Sequence, residues 1–259
     1  MSIYITGDTH RNFNRIFHFA KAKDLSSDDL IIILGDAGIN FLDNWKDRFL
    51  KEELTKCLPV NLFCLHGNHE IRPQRIRSYK ETIWMGGKAY IEPDYPSLIF
   101  AKDGEIYTLD GLRTLAAGGA LSIDKGKRIA KHEANPQVVP RTWWPDEQPS
   151  KKIKKRIKAR LEKEGWRIDV ILSHTCPMRI WREIASESRL EGHARKIEQL
   201  MMDMSTEEFL GELEERLDYK KWFFGHFHIN RSFEKFQAVG YEIFKFNADP
   251  QKQGYLEED

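Results

Sequence analysis

The sequence predicts a layered α/β domain, and three observations carry that expectation. Five short apolar segments each run into Asp, Asn or His: Ile3-Tyr4-Ile5 into Gly7-Asp8-Thr9-His10, Leu30 to Leu34 into Gly35-Asp36, Val60 to Leu65 into Gly67-Asn68-His69-Glu70, Ile168 to Leu172 into Ser173-His174, and Trp222 to Phe224 into Gly225-His226-Phe227-His228. These segments are short and continuously apolar, so they read as buried strands rather than amphipathic helices. The first third of the chain alternates strand and helix, the pattern of a layered α/β protein. A chain of 259 residues can also bury a sizeable core as one large domain without disulfides or structural metals.

If the five segments are neighbouring strands of one sheet, their ends bring two Asp, one Asn and five His to a common rim. Open α/β sheets place their sites at such a rim. Asp8-x-His10 sets a hard carboxylate and an imidazole on one turn, both suited to a divalent first-row metal. Asp8 is equally suited to cap the helix expected over Arg15 to Ala22, whose stripe is Ile16, Phe17, Phe19 and Ala20. The glycines around Asp36 allow a tight turn that brings its carboxylate close to a ligand, or form an ordinary Gly-Asp turn. Asn44 to Leu58 reads as a helix with Trp45, Phe49, Leu50 and Leu54 inward, stopped by Pro59. Asn68 can offer an amide oxygen where another carboxylate would overcharge a metal site, leaving His69 free for proton transfer.

Beyond Glu70, Trp84 to Tyr90, Leu98 to Ala101, Glu105 to Leu109 and Leu112 to Ala117 read as hairpins of a second sheet. Ser122 to Pro149 is the least regular stretch, and long ordered loops are usually functional. Lys151 to Lys163 is a basic helix that reads as a solvated face, with nucleic acid a weaker reading. Glu183 to Asp203 and Thr206 to Leu217 are expected helices, the second opening on a capping-box pattern at Ser205, with His193 structural or exposed. Ser232 to Val239 and Tyr241 to Phe246 form a closing hairpin, and a polar tail follows from Asp249.

Composition narrows the partners. Lys+Arg 41 against Asp+Glu 40 leaves no global field that would imply nucleic acid or membrane. Cys57, Cys64 and Cys176 have no CxxC spacing and fit free thiols in a reducing compartment. With no signal-like N-terminus and no span-length apolar stretch, a soluble cytoplasmic protein is expected.

The ordered set Asp8-Thr9-His10, Gly35-Asp36, Gly67-Asn68-His69-Glu70, His174 and Gly225-His226-Phe227-His228 resembles the motifs of the calcineurin-like metallophosphoesterase superfamily. That resemblance implies a four-layer α/β/β/α sandwich with a dinuclear centre at the strand ends. It assigns Asp8, His10 and His228 to one metal, Asn68, His174 and His226 to the second, Asp36 as the bridge, and His69 as general acid. It departs from the Ser/Thr protein phosphatases at Ala37-Gly38-Ile39-Asn40 and at Arg11-Asn12, so phosphoprotein specificity does not carry over. Asn12 and Asn40 are open to substrate contact or to a turn role.

Two metals held close together polarise phosphoryl oxygens and generate a bridging hydroxide near neutral pH for in-line attack on phosphorus. Oxygen and imidazole ligands without thiolate suit Mn²⁺ first, with Fe or Zn²⁺ as alternatives. Glu70 is placed to orient His69 or to cap a helix. Arg72 is a candidate bidentate grip on a phosphoryl oxygen. In the 122–149 loop, Arg128 or Lys125 is expected to meet phosphate and Trp143 and Trp144 to form a wall or an anchor, making the loop a candidate lid. Three functions follow: hydrolysis of a phosphomonoester, hydrolysis of a phosphodiester including nucleic-acid ends, and a non-catalytic scaffold.

Overall fold

Three of the apolar runs, β1 (Ile3–Thr6), β2 (Leu30–Ile33) and β3 (Asn61–Cys64), lie side by side and parallel. The other two, β9 (Val170–Ser173) and β10 (Lys221–Phe224), pair with each other in a different sheet. The structure is a computed structural model that describes residues 1–186 and 203–247. The single shared sheet expected from the strand ends is therefore two sheets, and the rim is formed where their ends meet.

The first sheet has seven strands. Beside β3 lie β6 (Leu98–Ala101), β5 (Gly87–Ile91) and β4 (Lys80–Trp84), and β13 (Ile243–Lys245) closes the far edge against β1. The second sheet has six. Around β9 and β10 it adds β7 (Ile106–Leu109), β8 (Leu112–Ala117), β11 (Arg231–Phe233) and β12 (Phe236–Ala238).

Alternation along the strands explains why both faces of these runs are apolar. Ile32, Phe63, Leu172 and Phe223 meet in the core between the sheets, whereas Ile31, Ile33, Leu62 and Cys64 face the opposite way. There they meet α1 (Asn14–Ala22) through Ile16 and Ala20, and α2 (Trp45–Cys57) through Leu54. On the outer side of the second sheet, Ile171, Trp222 and Phe224 are covered by α4 (Lys151–Lys163), α5 (Met178–Ala185) and α6 (Ser205–Glu214). Two sheets, each buried on both faces by the other sheet and by helices, make the α/β/β/α sandwich.

Several elements differ from expectation. The stretch Trp84 to Tyr90 is a hairpin rather than one strand, because Met85 and Gly86 turn with φ of 47° and 84°, as tight β-hairpins require. With β6 it belongs to the first sheet, not the second. The closing hairpin is split: β11 and β12 pair in the second sheet, and β13 crosses to the first. Trp45 and Phe49 point outward, 62% and 56% exposed. Helix α2 instead buries Asp47 against Arg11 at 2.6 Å and Lys51 against Glu92 at 2.5 Å.

Within the stretch expected to be irregular, α3 (Lys125–Ala134) forms a helix with no buried residue. Helix α6 is not closed by the capping box; Ser205 N–H donates to Asp203 instead, and the neighbouring Glu207 is buried, accepting from Thr175. Helix α5 starts ahead of Glu183, while His193 and the tail from Asp249 lie outside the described residues.

Candidate metal centre

The turn after β1 presents Asp8, 2% exposed, and the turn after β2 presents Asp36, 1% exposed. Asp8 makes no helix cap; the N-cap of α1 is Phe13, without a side-chain bond. Its Oδ1 instead accepts the backbone N–H of His226 at 3.0 Å, and its Oδ2 lies 3.1 Å from His228 Nε2 and 3.6 Å from His10 Nε2. The two imidazoles converge, with His10 Nε2 and His228 Nε2 3.1 Å apart. Asp36 Oδ1 accepts the backbone N–H of His69 at 2.8 Å, and its Oδ2 lies 3.6 Å from His174 Nε2.

Two groups of potential ligands result, Asp8 with His10 and His228, and Asp8 with Asp36 and His174, each with its ligand atoms within 4.8 Å of one another. Asp8 is the carboxylate common to both groups, and Asp36, the expected bridge, lies in the second beside it. Asn68 adds its amide oxygen to the second group, 2.8 Å from His174 Nε2. His226 joins neither group; its ring centroid is 5.0 Å from that of His174.

The backbone is bent to make this convergence. His10, Asp36, His226 and His228 all adopt positive φ, at 44°, 49°, 69° and 55°. Non-glycine residues occupy that region only where the surroundings over-determine it, and such residues cluster at functional sites. Close approach also demands glycine. A Cβ on Gly67 would sit 1.9 Å from Asp36 Oδ1, and one on Gly35 2.2 Å from His174 Nδ1.

Two buried carboxylates met by imidazoles and backbone N–H groups are costly without added positive charge. Burial opposes ionisation of Asp8 and Asp36, yet His174 and neighbouring histidines hold both below the ordinary carboxylate range. The compensating charge sits on His174: burial disfavours it, but Asp36 and Asp8 raise its pKa to about 9. Burial and His174 together push His226 down to about 3. The donors fit divalent metal, since hard oxygens and imidazoles converge on a site whose negative charge needs a partner. Cation binding would release the His174 proton.

Asp8, His10, Asp36, Asn68, His226 and His228 line a cavity of ≈ 340 Å³ together with Ile123, Asp124, Trp181, Ile184, Ala185 and Phe227, while His174 lies buried behind them. His69 lines the same cavity. The family model for calcineurin-like phosphoesterases matches residues 1–230. The chain belongs to the calcineurin-like phosphoesterase family. Membership makes it a metal-dependent hydrolase of phosphate esters. A crystal structure of TT1561 from Thermus thermophilus is similar at 12% identity and a TM-score of 0.47, over 94% of this chain and 93% of that one. No curated protein matches the chain significantly.

An outer layer of contacts orients the ligand side chains of this phosphoesterase. His174 Nδ1 donates to the Leu34 carbonyl at 2.6 Å, leaving Nε2 as its ligand atom. Tyr241 Oη lies 3.1 Å from His228 Nδ1 and does the same for that ring. The buried Ser122 Oγ accepts from Asn68 Nδ2 at 2.8 Å and so aims the amide oxygen at His174. Ser122→Ala is expected to weaken Mn²⁺ binding about 10- to 100-fold in calorimetry, as loss of such a contact usually does. Unchanged affinity would remove Ser122 from this role.

Glu70 does not touch the His69 ring. It is buried and accepts from Gly67 N–H at 2.9 Å and Gly38 N–H at 3.2 Å, tying two turns of the site together. Burial, with Asp36 nearby, raises its pKa to about 8. Asn40 is also structural, accepting from Tyr79 Oη at 3.0 Å, and Asn12 caps its own turn by accepting from Asn14 N–H at 3.2 Å.

Arg72, expected to grip phosphate, is 3% exposed and engaged elsewhere. Its Nη1 pairs with the buried Asp103 at 2.5 Å and its Nε donates to the Asp146 carbonyl at 2.7 Å. Its position in sequence, two residues past Glu70, gave no sign of this distant partner. Arg72→Ala is expected to destabilise the fold by about 3–5 kcal/mol in urea unfolding, because Asp103 would be left buried and unpaired. A change in KM without lost stability would restore the substrate role.

Arg128 comes closer to the chemistry. It pairs with Asp124 at 2.7 Å and its Nη2 lies 3.4 Å from His69 Nε2, but it does not line the cavity. Lys125 sits over the Trp143 ring at 4.6 Å, and Trp144 is buried edge-on against Phe41. The tryptophan pair therefore anchors the segment, and the aromatic wall comes instead from Trp181 and Phe227, which sequence reasoning missed. The available signal was the apolar set Ile180, Trp181, Ile184 and Ala185, too rich for one face of a short helix.

Proposed function

We propose that this phosphoesterase hydrolyses a small phosphomonoester with two divalent cations, Mn²⁺ being the first choice and Fe or Zn²⁺ the alternatives. The observation that carries the reading is the pair of ligand groups sharing Asp8 at a cavity that His69 also lines. Asp8, His10 and His228 would hold one cation, and Asp36, Asn68 and His174, with His226 beside them, the other. Such cations supply Lewis acidity toward phosphoryl oxygens and acidify water to an attacking nucleophile.

The chain's own residues do the rest. His69 protonates the leaving-group oxygen, and its backbone N–H, held by Asp36, keeps the ring beside the cation floor. Arg128, next to that ring, lies within reach of a phosphoryl oxygen through a small movement of its side chain. The whole chain acts as one domain, with residues 122–149 contributing Ser122, Ile123, Asp124 and Arg128 to one border of the site. Three free cysteines support a cytoplasmic location.

A cavity of ≈ 340 Å³ suits a small molecule better than a polymer end. The basic helix α4 gives little support to nucleic acid, because several of its cations are engaged within the protein: Lys154 with the Ser205 carbonyl, Arg156 with the Asp103 carbonyl and Lys158 with Glu212. A scaffold has no use for two buried carboxylates facing imidazoles.

The test is turnover by metal-stripped protein replenished with Mn²⁺, on matched aryl phosphomonoester and phosphodiester substrates. Metal-dependent hydrolysis with the monoester ahead is expected. A faster diester favours the phosphodiesterase reading, and no turnover at full metal occupancy favours the scaffold.

A further inference from the structure

The cavity above the ligand groups has two unlike sides. One, the floor, is the set of carboxylates, imidazoles and Asn68; the other, the wall, is apolar, Ile123, Trp181, Ile184, Ala185 and Phe227, bordered by Asp124, whose charge is taken up by Arg128 at 2.7 Å. The wall is held in place by the core. Ile180 and Ile184 of α5 are 0% and 1% exposed against the second sheet, which fixes the helix and holds Trp181, one residue along, half-buried at the cavity. Phe227 is set by edge contacts to Phe224 at 5.9 Å and to His226 at 5.1 Å. Aromatic surface thus begins one residue away from the imidazoles of His226 and His228.

Two further features narrow what this wall can receive. Among the described residues, no Lys or Arg lines the cavity, so the floor with its cations is the place for the phosphoryl charge, and the wall offers nothing to a second anionic group. Trp181 and Phe227 also set two aromatic side chains on one cavity. Flat, polarisable faces favour planar rings over flexible chains, because stacking adds to area burial and costs little ordering. The volume, near the lower end for small-molecule sites, holds one or two fused rings.

We infer that Trp181 and Phe227 form a leaving-group subsite for an uncharged aromatic ring system, so that the substrate is a small monophosphate ester of an aromatic alcohol. This rests on the hydrolytic reading for its catalytic meaning, and its test is independent of turnover. Calorimetry on the Mn²⁺-loaded protein would compare three non-hydrolysable probes: 2-naphthylmethylphosphonate, ethylphosphonate and octylphosphonate. The naphthyl probe is expected to bind about tenfold or more tightly than the ethyl probe and more tightly than the octyl probe. Trp181→Ala, and separately Phe227→Leu, should bring the naphthyl-to-ethyl ratio toward one, with unchanged Mn²⁺ stoichiometry showing that the floor is still folded.

Equal affinities for naphthyl and ethyl probes, or a ratio unaffected by both variants, would overturn the subsite. An octyl probe that matches the naphthyl one would replace aromatic selection by simple hydrophobicity and overturn it as stated. Selective naphthyl binding without hydrolysis of any phosphate ester would instead sink the catalytic reading and leave the subsite standing.

Discussion

Asp8→Asn is expected to abolish cation binding at both groups together and, with it, all hydrolysis. Asp8 is the carboxylate that both groups share, and its two oxygens are already divided between the His226 N–H and the His228 ring. An asparagine keeps the shape but removes the charge, and its amide nitrogen would face imidazole nitrogens where an anion is needed. The readout is the rise in melting temperature on adding Mn²⁺, taken against each protein's own metal-stripped baseline. Saturation at a hundredfold excess over Kd stabilises a folded protein by about 2.7 kcal/mol per site. For a chain of this size that corresponds to a rise of about 5–10 °C per site. The wild type should show it and Asp8→Asn should not. A variant that still binds two cations would show that the carboxylate is dispensable and that the floor has been misread.

His69→Ala is expected to lower hydrolysis about 10²- to 10⁴-fold while leaving cation binding intact. The separation follows from where the two halves of the residue sit. Its backbone N–H, which survives the substitution, supports Asp36 at 2.8 Å, whereas its ring stands over the floor with Nδ1 lacking any partner among the described residues. Burial first, and Arg128 beside it, lower the ring's pKa. The loss should be large for alkyl phosphates, whose alkoxides need a proton, and small for nitrophenyl phosphate, whose leaving group does not. An equal loss for both would show that the ring acts on binding rather than on the departing oxygen.

Local pattern made most of the floor legible. Each motif follows a short apolar run, and the residue types at the run's end, Asp, His and Asn, are those that suit hard cations, so position and chemistry coincide within a few residues. The reach of such reasoning ended where distant partners decide. Trp45 and Phe49 looked inward by spacing, but α2 is rotated by two buried ion pairs, Asp47 with Arg11 and Lys51 with Glu92, that apolar periodicity does not register. Arg72 looked available for phosphate until Asp103, far along the chain, claimed it.

By itself the sequence determined that buried strands end in a ligand-bearing rim, because strand formation and ligand chemistry are both set by neighbours along the chain. Only the tertiary structure decided that the rim joins two sheets, that Asp8 falls within both ligand groups, and that Trp181 and Phe227 line the same cavity. The physical reason is that a strand's alternation fixes which side chains share a face but not which strand lies beside it. That choice is made by packing between layers, through contacts that close loops of many tens of residues.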